Sequence, residues 1–171
     1  MTLNFVENIP NDFRLVEPIL ISGHDSVKLT GQEFLLFAQL DNEKICFEIK
    51  YEYHCSPFKE ATIIENLLIV GHENFFYLFD LKTKLNILRL EMDGYFGHFY
   101  IENELFYVAD ASGLQCIDKN ASILWQNKKL GIDGVIIHDF DNDNIIGSGE
   151  WDPPGGWIDF ILDKRTGIAK E

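Results

Sequence analysis

The stretch LLIVGHENFFYLFDLKTKLNILRL (Leu67–Leu90) decides how this chain is read. It holds three short apolar runs. The first ends at His72-Glu73-Asn74, the second at Asp80 and the polar turn LKTK (81–84), and the third closes the stretch. Runs this short, rich in aromatic and branched residues and bounded by turn residues, read as strands. An aspartate at a strand end bonds the backbone two residues on and starts a turn. The stretch therefore reads as one small antiparallel meander: strand, hairpin turn, strand closed by aspartate, polar turn, strand.

The same order recurs twice. Leu105–Lys128 reads LFYVADASGLQCIDKNASILWQNK, and Ile145–Lys170 reads IIGSGEWDPPGGWIDFILDKRTGIAK. The closing aspartates are Asp80, Asp118 and Asp163, followed by the turns LKTK, KNAS (119–122) and KRTG (164–167). One such sheet cannot bury its own face, so neighbours must stack. The pattern, clearest in FFYLFDLKTK (75–84) and WIDFILDKRTG (157–167), resembles the blade of pyrroloquinoline-quinone-type and WD-type β-propellers, which repeat about every 40 residues. The spacings here are 38 residues (80 to 118) and 45 (118 to 163). A closed propeller takes at least about four blades. The expected fold is all-β: stacked antiparallel β-meanders forming a partial, open propeller, with a β-sandwich as the alternative. The expected domain is single, over 1–171, with N-terminal strands in 1–66 and three blade-like repeats in 67–171.

Upstream, Glu33–Leu40 and Lys44–Tyr53 read as a hairpin across Asp41-Asn42-Glu43, with Ile45, Phe47, Ile49 and Tyr51 on one face. Ser56–Asn66 is read as a short helical turn after Pro57.

The chain has 171 residues, 46% of them hydrophobic, and 14 Phe. Such a composition buries a core and favours strands over helices. Its net charge is −14, from 14 basic and 28 acidic side chains. That balance repels nucleic acid and anionic lipid and favours basic partners. Basic residues are scattered, and the adjacent ones form only the pairs Lys128-Lys129 and Lys164-Arg165, so no nucleic-acid face is expected. Three cysteines without metal-type spacing read as reduced thiols. With no signal-like N-terminus and no spanning apolar run, the expectation is a cytoplasmic protein with no membrane partner.

Motifs for chemistry are sparse. DFDNDNIIGSGE (Asp139–Glu150) is nearly a calcium loop, with Asp139, Asp141, Asp143 and Glu150 as candidate ligands. Asn144 stands where that loop carries glycine, and Asp133–Phe140 reads as a strand where a helix should precede it. A polar hairpin loop is the competing reading. The Gly-His pairs Gly23-His24, Gly71-His72 and Gly97-His98 resemble the structural Gly-His of WD-type blades. The chain carries no nucleophile elbow, phosphate loop or zinc spacing. No cofactor and no enzymatic activity are expected.

The seven extra residues of the last repeat match WDPPGGW (151–157), read as an enlarged hairpin loop. Its tryptophans either pack together as a cap over the sheet end or face a partner. In the second case the partner-binding residues are Asp139, Asp141, Asp143, Glu150, Trp151, Asp152 and Trp157. In its single acidic domain and its loops DFDNDN (139–144) and GEWDPPGGW (149–157), the chain resembles small cytoplasmic bacterial immunity proteins of the contact-dependent growth inhibition and polymorphic-toxin type. That resemblance implies a monomer that neutralises a basic, nuclease-type toxin 1:1 by covering its active site. It brings no family residues with it. The alternatives are a propeller-like interaction scaffold without a toxin partner and, third, a carboxylate-based hydrolase.

Overall fold

A computed structural model describes residues 2–22, 29–38 and 44–170. Among these, one 3-10 turn at Asn11–Phe13 accompanies fifteen strands in four sheets. The first sheet, in the order β1-β3-β4-β2, contains β1 (Thr2–Val6), β2 (Ile19–Leu20), β3 (Gly31–Ala38) and β4 (Lys44–Tyr51). The second runs in chain order: β5 (Lys59–Ile64), β6 (Leu67–His72), β7 (Phe75–Asp80) and β8 (Leu85–Glu91). So does the third: β9 (Phe96–Glu102), β10 (Leu105–Asp110), β11 (Leu114–Asp118) and β12 (Ile123–Asn127). The fourth has three strands, β13 (Val135–Asp141), β14 (Asn144–Trp151) and β15 (Gly156–Asp163). The fold is all-β, built of successive antiparallel meanders, and no sheet closes into a barrel. The exception to antiparallel pairing is β2, which runs parallel to β4.

The repeat is present, in a different phase. Each of the last three sheets begins with a strand that precedes the segments aligned above: β5, β9 and β13. The first blade thus starts at Lys59 and not at Leu67. The helical turn expected over 56–66 is replaced by β5. Thr62, Ile63 and Ile64 are β-branched and stiff at χ1, which disfavours a helix and suits a strand laid against β6. The expected β3–β4 hairpin forms, with Leu35 opposite Phe47 and Phe37 opposite Ile45. Its Asp41-Asn42-Glu43 turn and the pair Gly23-His24 lie outside the described residues.

The closing aspartates act as expected. Asp80 Oδ1 accepts from the backbone N–H of Lys82 and Thr83 at 2.7 and 2.9 Å. Asp118 Oδ1 accepts from Asn120 and Ser122 at 2.9 and 2.8 Å. Asp163 Oδ1 accepts from Arg165 and Thr166 at 3.1 Å, and from the Thr166 hydroxyl at 3.0 Å. These donors hold all three carboxyls below the ordinary carboxylate range.

The chain divides into two compact units. One comprises residues 1–54, 61–70 and 77–89. Here Phe47 of β4 meets Phe79 of β7 edge to face, with centroids 5.9 Å apart. The opposite face of the first sheet is sealed: Phe13 of the 3-10 turn packs with Phe34, Leu36 and Cys46, and Val6, Ile9 and Val16 close over them. The other unit comprises 55–60, 71–76 and 90–171. Phe76 of β7 packs on Phe99 of β9 at 5.9 Å. The third and fourth sheets then enclose one core of Tyr107, Leu114, Cys116, Val135, Ile145 and Leu162, among others. Trp125 of β12 donates from Nε1 to the Lys164 carbonyl at 3.0 Å, and Asn127 Nδ2 to the Gly167 carbonyl at 2.8 Å. The turn after β15 is thereby tied to the last strand of the third sheet.

Within this unit each sheet also clasps the loop leading into its own first strand. Glu73 Oε2, after β6, accepts from Cys55 N and Ser56 N at 2.6 and 3.1 Å. Asp110 Oδ2, ending β10, accepts from Asp93 N at 3.1 Å. The Glu150 carbonyl, near the end of β14, accepts from Ile132 N at 2.8 Å, and Glu150 N donates to the Gly134 carbonyl at 2.8 Å. The three clasps gather the leading loops at one end of their sheets.

Candidate functional site

The fourth sheet has two unlike faces, and its register assigns them. Cross-strand partners share a face, and the face alternates along each strand. Val135, Ile137, Ile145 and Leu162 point into the core. The other set follows from the pairs Asp141↔Asn144↔Asp163, Asp139↔Ile146↔Ile161, Ile136↔Ser148↔Asp159 and Glu150↔Trp157. On this outer face Trp157 is 48% exposed and Ile161 46% exposed, while Ile136 and Ile146 are half-buried. The apolar stripe is flanked by Asp139, Asp141, Asp159, Asp163 and Glu150. His138 lies at a register shift in β13, and its Nε2 pairs with the Ser148 hydroxyl at 2.8 Å. That histidine is a strut of the sheet.

One end of the stripe has a defined corner. Gly134 has no side chain, and other groups occupy the space above it. A Cβ there would lie 3.4 Å from Trp157 Cη2, 3.6 Å from the Tyr95 hydroxyl and 3.9 Å from Glu150 Oε2. The Tyr95 hydroxyl donates to the Asp133 carbonyl at 2.6 Å. Burial, and then the negative charges of Asp133, Glu150 and Asp110, raise the phenol above its ordinary range. Phe58, 41% exposed, continues the aromatic surface, 6.2 Å from Tyr95 and 5.4 Å from His98. His98 sits 3.6 Å from Glu60. The corner is aromatic on its walls and negative in potential, which suits a cation or a basic side chain.

The seven partner-binding candidates are only partly brought together. Asp139, Asp141, Glu150 and Trp157 share the outer face. Asp141 ends β13 opposite Asn144, however, and Glu150 stands six positions further along β14, about 20 Å away at ~3.3 Å per residue. Asp143 is in the β13–β14 turn, where its carbonyl accepts from Lys164 N at 2.8 Å. Asp152 is in the β14–β15 turn, where its carbonyl accepts from Gly155 N at 2.7 Å. Trp151, opposite Gly156, takes the face away from Glu150 and Trp157. The tryptophans therefore do not pack on each other, because adjacent ladder positions point to opposite faces. The calcium loop does not form, for a different reason: Asp139 and Asp141 are strand residues, and Glu150, though on the same face, is a strand's length away. Among the described residues no group of three or more metal-ligating side chains converges.

The extra seven residues are also spent differently from a loop. The β14–β15 ladder runs from Asn144↔Asp163 to Trp151↔Gly156, whereas β10–β11 runs from Leu105↔Asp118 to Ala109↔Leu114. Most of the added length is ladder, and only residues 152–155 turn. Sequence reasoning missed Tyr95, Gly134, Ile136, Ile146 and Ile161. The isoleucines were legible as strand residues, but IIGSG (145–149) does not say which isoleucine faces out.

Elsewhere, a cavity of about 370 Å³ in the first unit is lined by Glu17, Lys44, Lys84, Phe47 and Phe79, among others. Glu17 is the one carboxylate on its described lining, so it holds no facing acid pair. Cys55 is no better placed for nucleophilic chemistry: burial and then Glu73 push its thiol up to about 11. His54 instead pairs with the Tyr51 hydroxyl at 3.0 Å.

These features define a class: an all-β protein of blade-like repeats whose fourth sheet carries an acid-flanked apolar stripe on its outer face. No family model and no curated protein matches the chain in sequence. Solved structures match it in fold. A chain of Kuenenia stuttgartiensis hydrazine synthase superposes with TM-score 0.54 at 12% identity, over 96% of this chain and 52% of that one. A chain of the mitotic checkpoint complex gives TM-score 0.50 at 10% identity, over 98% and 52%. This chain thus spans about half the length of the chains it matches, and at such identities the likeness is one of fold. No helix among the described residues is long and apolar enough to cross a membrane.

Proposed function

We propose that this chain is a protein-interaction scaffold that receives a basic partner on the outer face of its last sheet. One observation carries the reading: Trp157, Ile161, Ile146 and Ile136 form an acid-flanked stripe on the outer face of the fourth sheet. An exposed apolar patch rimmed by polar residues marks an interaction surface. The outer core of the first sheet is sealed by Phe13 and its neighbours, so an uncovered apolar face is not a general habit of this chain. The net charge of −14 selects the partner's sign and speeds its encounter. Trp157 is the natural anchor, since aromatic residues at interface centres carry much of the binding energy.

The test is a photo-crosslinker at position 146, followed by binding measurements on the purified, identified partner. Trp157→Ala is expected to weaken binding about 30-fold, the order of a 2 kcal/mol hot spot. Association is expected to slow as salt rises. An acidic partner, or wild-type affinity for Trp157→Ala, refutes the reading. The narrower form, 1:1 neutralisation of a basic nuclease-type toxin, is supported by the charge alone. Co-expression with the product of the adjacent upstream gene tests it, and unrelieved toxicity, or an upstream product that is harmless, removes it.

A further inference from the structure

We propose that the cavity of the first unit binds a free α-amino acid with an apolar side chain: its ammonium on Glu17, its carboxylate on Lys84 and its side chain against Phe47 and Phe79. The site belongs to a different unit from the acid-flanked stripe and does not rest on the partner argued for above.

The cavity is walled by internal segments of the chain. Residues 16–19 lead into β2, Ile45 and Phe47 belong to β4, and Phe79, Leu81 and Lys84 come from β7 and the turn after it. Its volume, about 370 Å³, falls within the range of small-molecule sites, roughly 300–1,000 Å³. Phe47 and Phe79 are fully buried, and Ile19, Ile45 and Leu81 are half-buried, so its floor is apolar. Asn86 of β8 donates from Nδ2 to the Ile21 carbonyl, which ties the β8 wall to the chain just past β2. The two charged residues at issue stand on anchored backbone. Val16 N donates to the Phe13 carbonyl at 2.9 Å, Ile19 pairs with Phe47, and Pro18 restricts Glu17 between them. Asp80 Oδ1 holds the turn that ends in Lys84, and Lys84 leaves it at φ +57.

The charges on the lining choose the ligand. Lys44 is already engaged: its Nζ donates to the Asp12 carbonyl and to Asp12 Oδ2, each at 2.9 Å, and stands 5.0 Å from the centre of the Phe13 ring. Glu17 and Lys84 are exposed, and among the described residues neither makes an ion pair or a side-chain hydrogen bond, with each other or with another group. One unpaired charge of each sign therefore stands at the mouth of an apolar cavity. A ligand with a single charge is attracted by one of them and repelled by the other. A small anion is opposed further by the chain's net charge of −14. A ligand with both signs at one end and apolar atoms at the other satisfies both residues and buries its body on the rings. An α-amino acid has that layout. Phe47 and Phe79 meet edge to face at 5.9 Å, and an aromatic side chain extends their cluster.

The probe is L-phenylalanine, titrated into the full chain by calorimetry, with methyl shifts read in parallel by NMR. The controls are 3-phenylpropionate, which lacks the ammonium, and 2-phenylethylamine, which lacks the carboxylate. Phenylalanine is expected to bind with a Kd below about 1 mM and to shift the methyls of Ile19, Ile45 and Leu81. Each control is expected to bind about fivefold more weakly, the upper range for an exposed ion pair. Glu17→Gln is expected to weaken phenylalanine about fivefold and to leave 3-phenylpropionate no weaker than before. Lys84→Gln is expected to weaken phenylalanine equally and to leave 2-phenylethylamine no weaker than before. Both positions are exposed, so the fold is not at stake in either variant. A merely structural role for the two residues does not produce this crossed pattern. Four results overturn the proposal: no binding of phenylalanine at about 10 mM, a control that binds as tightly as phenylalanine, wild-type affinity for phenylalanine in either variant, or methyl shifts confined to Ile136 and Ile146 of the fourth sheet. Failure here leaves the partner face standing, because Trp157→Ala and the salt dependence read that face alone.

Discussion

Replacing Tyr107 with phenylalanine should stabilise the protein. Tyr107 is fully buried on β10, its ring 4.9 Å from Phe140 and 6.0 Å from Trp125. Its hydroxyl has no nitrogen or oxygen partner among the described residues. The cross-strand residue on its face is Cys116, whose thiol is a weak acceptor. Burial drives the phenol well above its ordinary range, with the Cys116 thiol and Glu102 adding to the effect. A buried hydroxyl lacking a good partner costs roughly 1–3 kcal/mol, and a contact to sulfur recovers part of that. The ring packing survives the substitution and only one oxygen is lost. The expected gain is about 1 kcal/mol, or about 2–4 °C in Tm for a chain of this size. Urea unfolding followed by Trp125 fluorescence reads the transition beside the mutated ring. An unchanged m-value with a higher midpoint is the expected result. A loss of about 1 kcal/mol or more would falsify the reasoning, because it requires a strong hydrogen bond to the hydroxyl.

The other predictions concern packing, thiols and acid. Gly71→Ala should cost at least about 2 kcal/mol, because the new Cβ falls inside the Phe96 ring and both residues are buried. Gly156→Ala should cost less: at φ +60 its penalty is backbone strain of about 1 kcal/mol, with no atom within 4 Å of the new Cβ. Equal losses in denaturant melts would count against the Phe96 contact. The native thiols should resist iodoacetamide at pH 8. Burial, with Glu73 second, puts Cys55 at about 11, and burial puts Cys116 at about 11 against a smaller lowering by the Tyr107 hydroxyl. A pKa of 11 leaves about 0.1% thiolate at pH 8. Alkylation should be at least about 100-fold slower than in urea, and rapid labelling of either cysteine by mass spectrometry would contradict this. Asp80, Asp118 and Asp163 are depressed in the fold by their turn donors. Their stabilisation is fully present above the unfolded value near about pH 4 and fades as pH falls through the lower folded values. Carboxyl titrations by NMR should place all three below the unfolded value, and Asp118→Ala should remove its share of the acid dependence.

The strands and their closing turns could be read from the chain because both are local. Asp80, Asp118 and Asp163 each act on backbone within four residues, and short apolar runs such as FFYLFD (75–80) announce a strand without help from elsewhere. The leading strand β5 was hidden for the opposite reason. KEATII (59–64) has little apolar surface of its own and becomes a strand by pairing with β6.

The site divides along the same line. Composition determined that the protein is acidic, and sequence pointed to Asp139, Glu150 and Trp157 as residues worth placing. Which of them could act together was decided by register. A one-position offset reverses a side chain's face, so Trp151 and Trp157 part company while Asp139, Ile146 and Ile161 align in one row. The corner at Gly134 needs Tyr95 from another loop, brought there by the Asp110–Asp93 clasp. Local chemistry is written in neighbouring residues, but pairing and face belong to contacts between residues far apart in the chain, and only the folded structure brings those together.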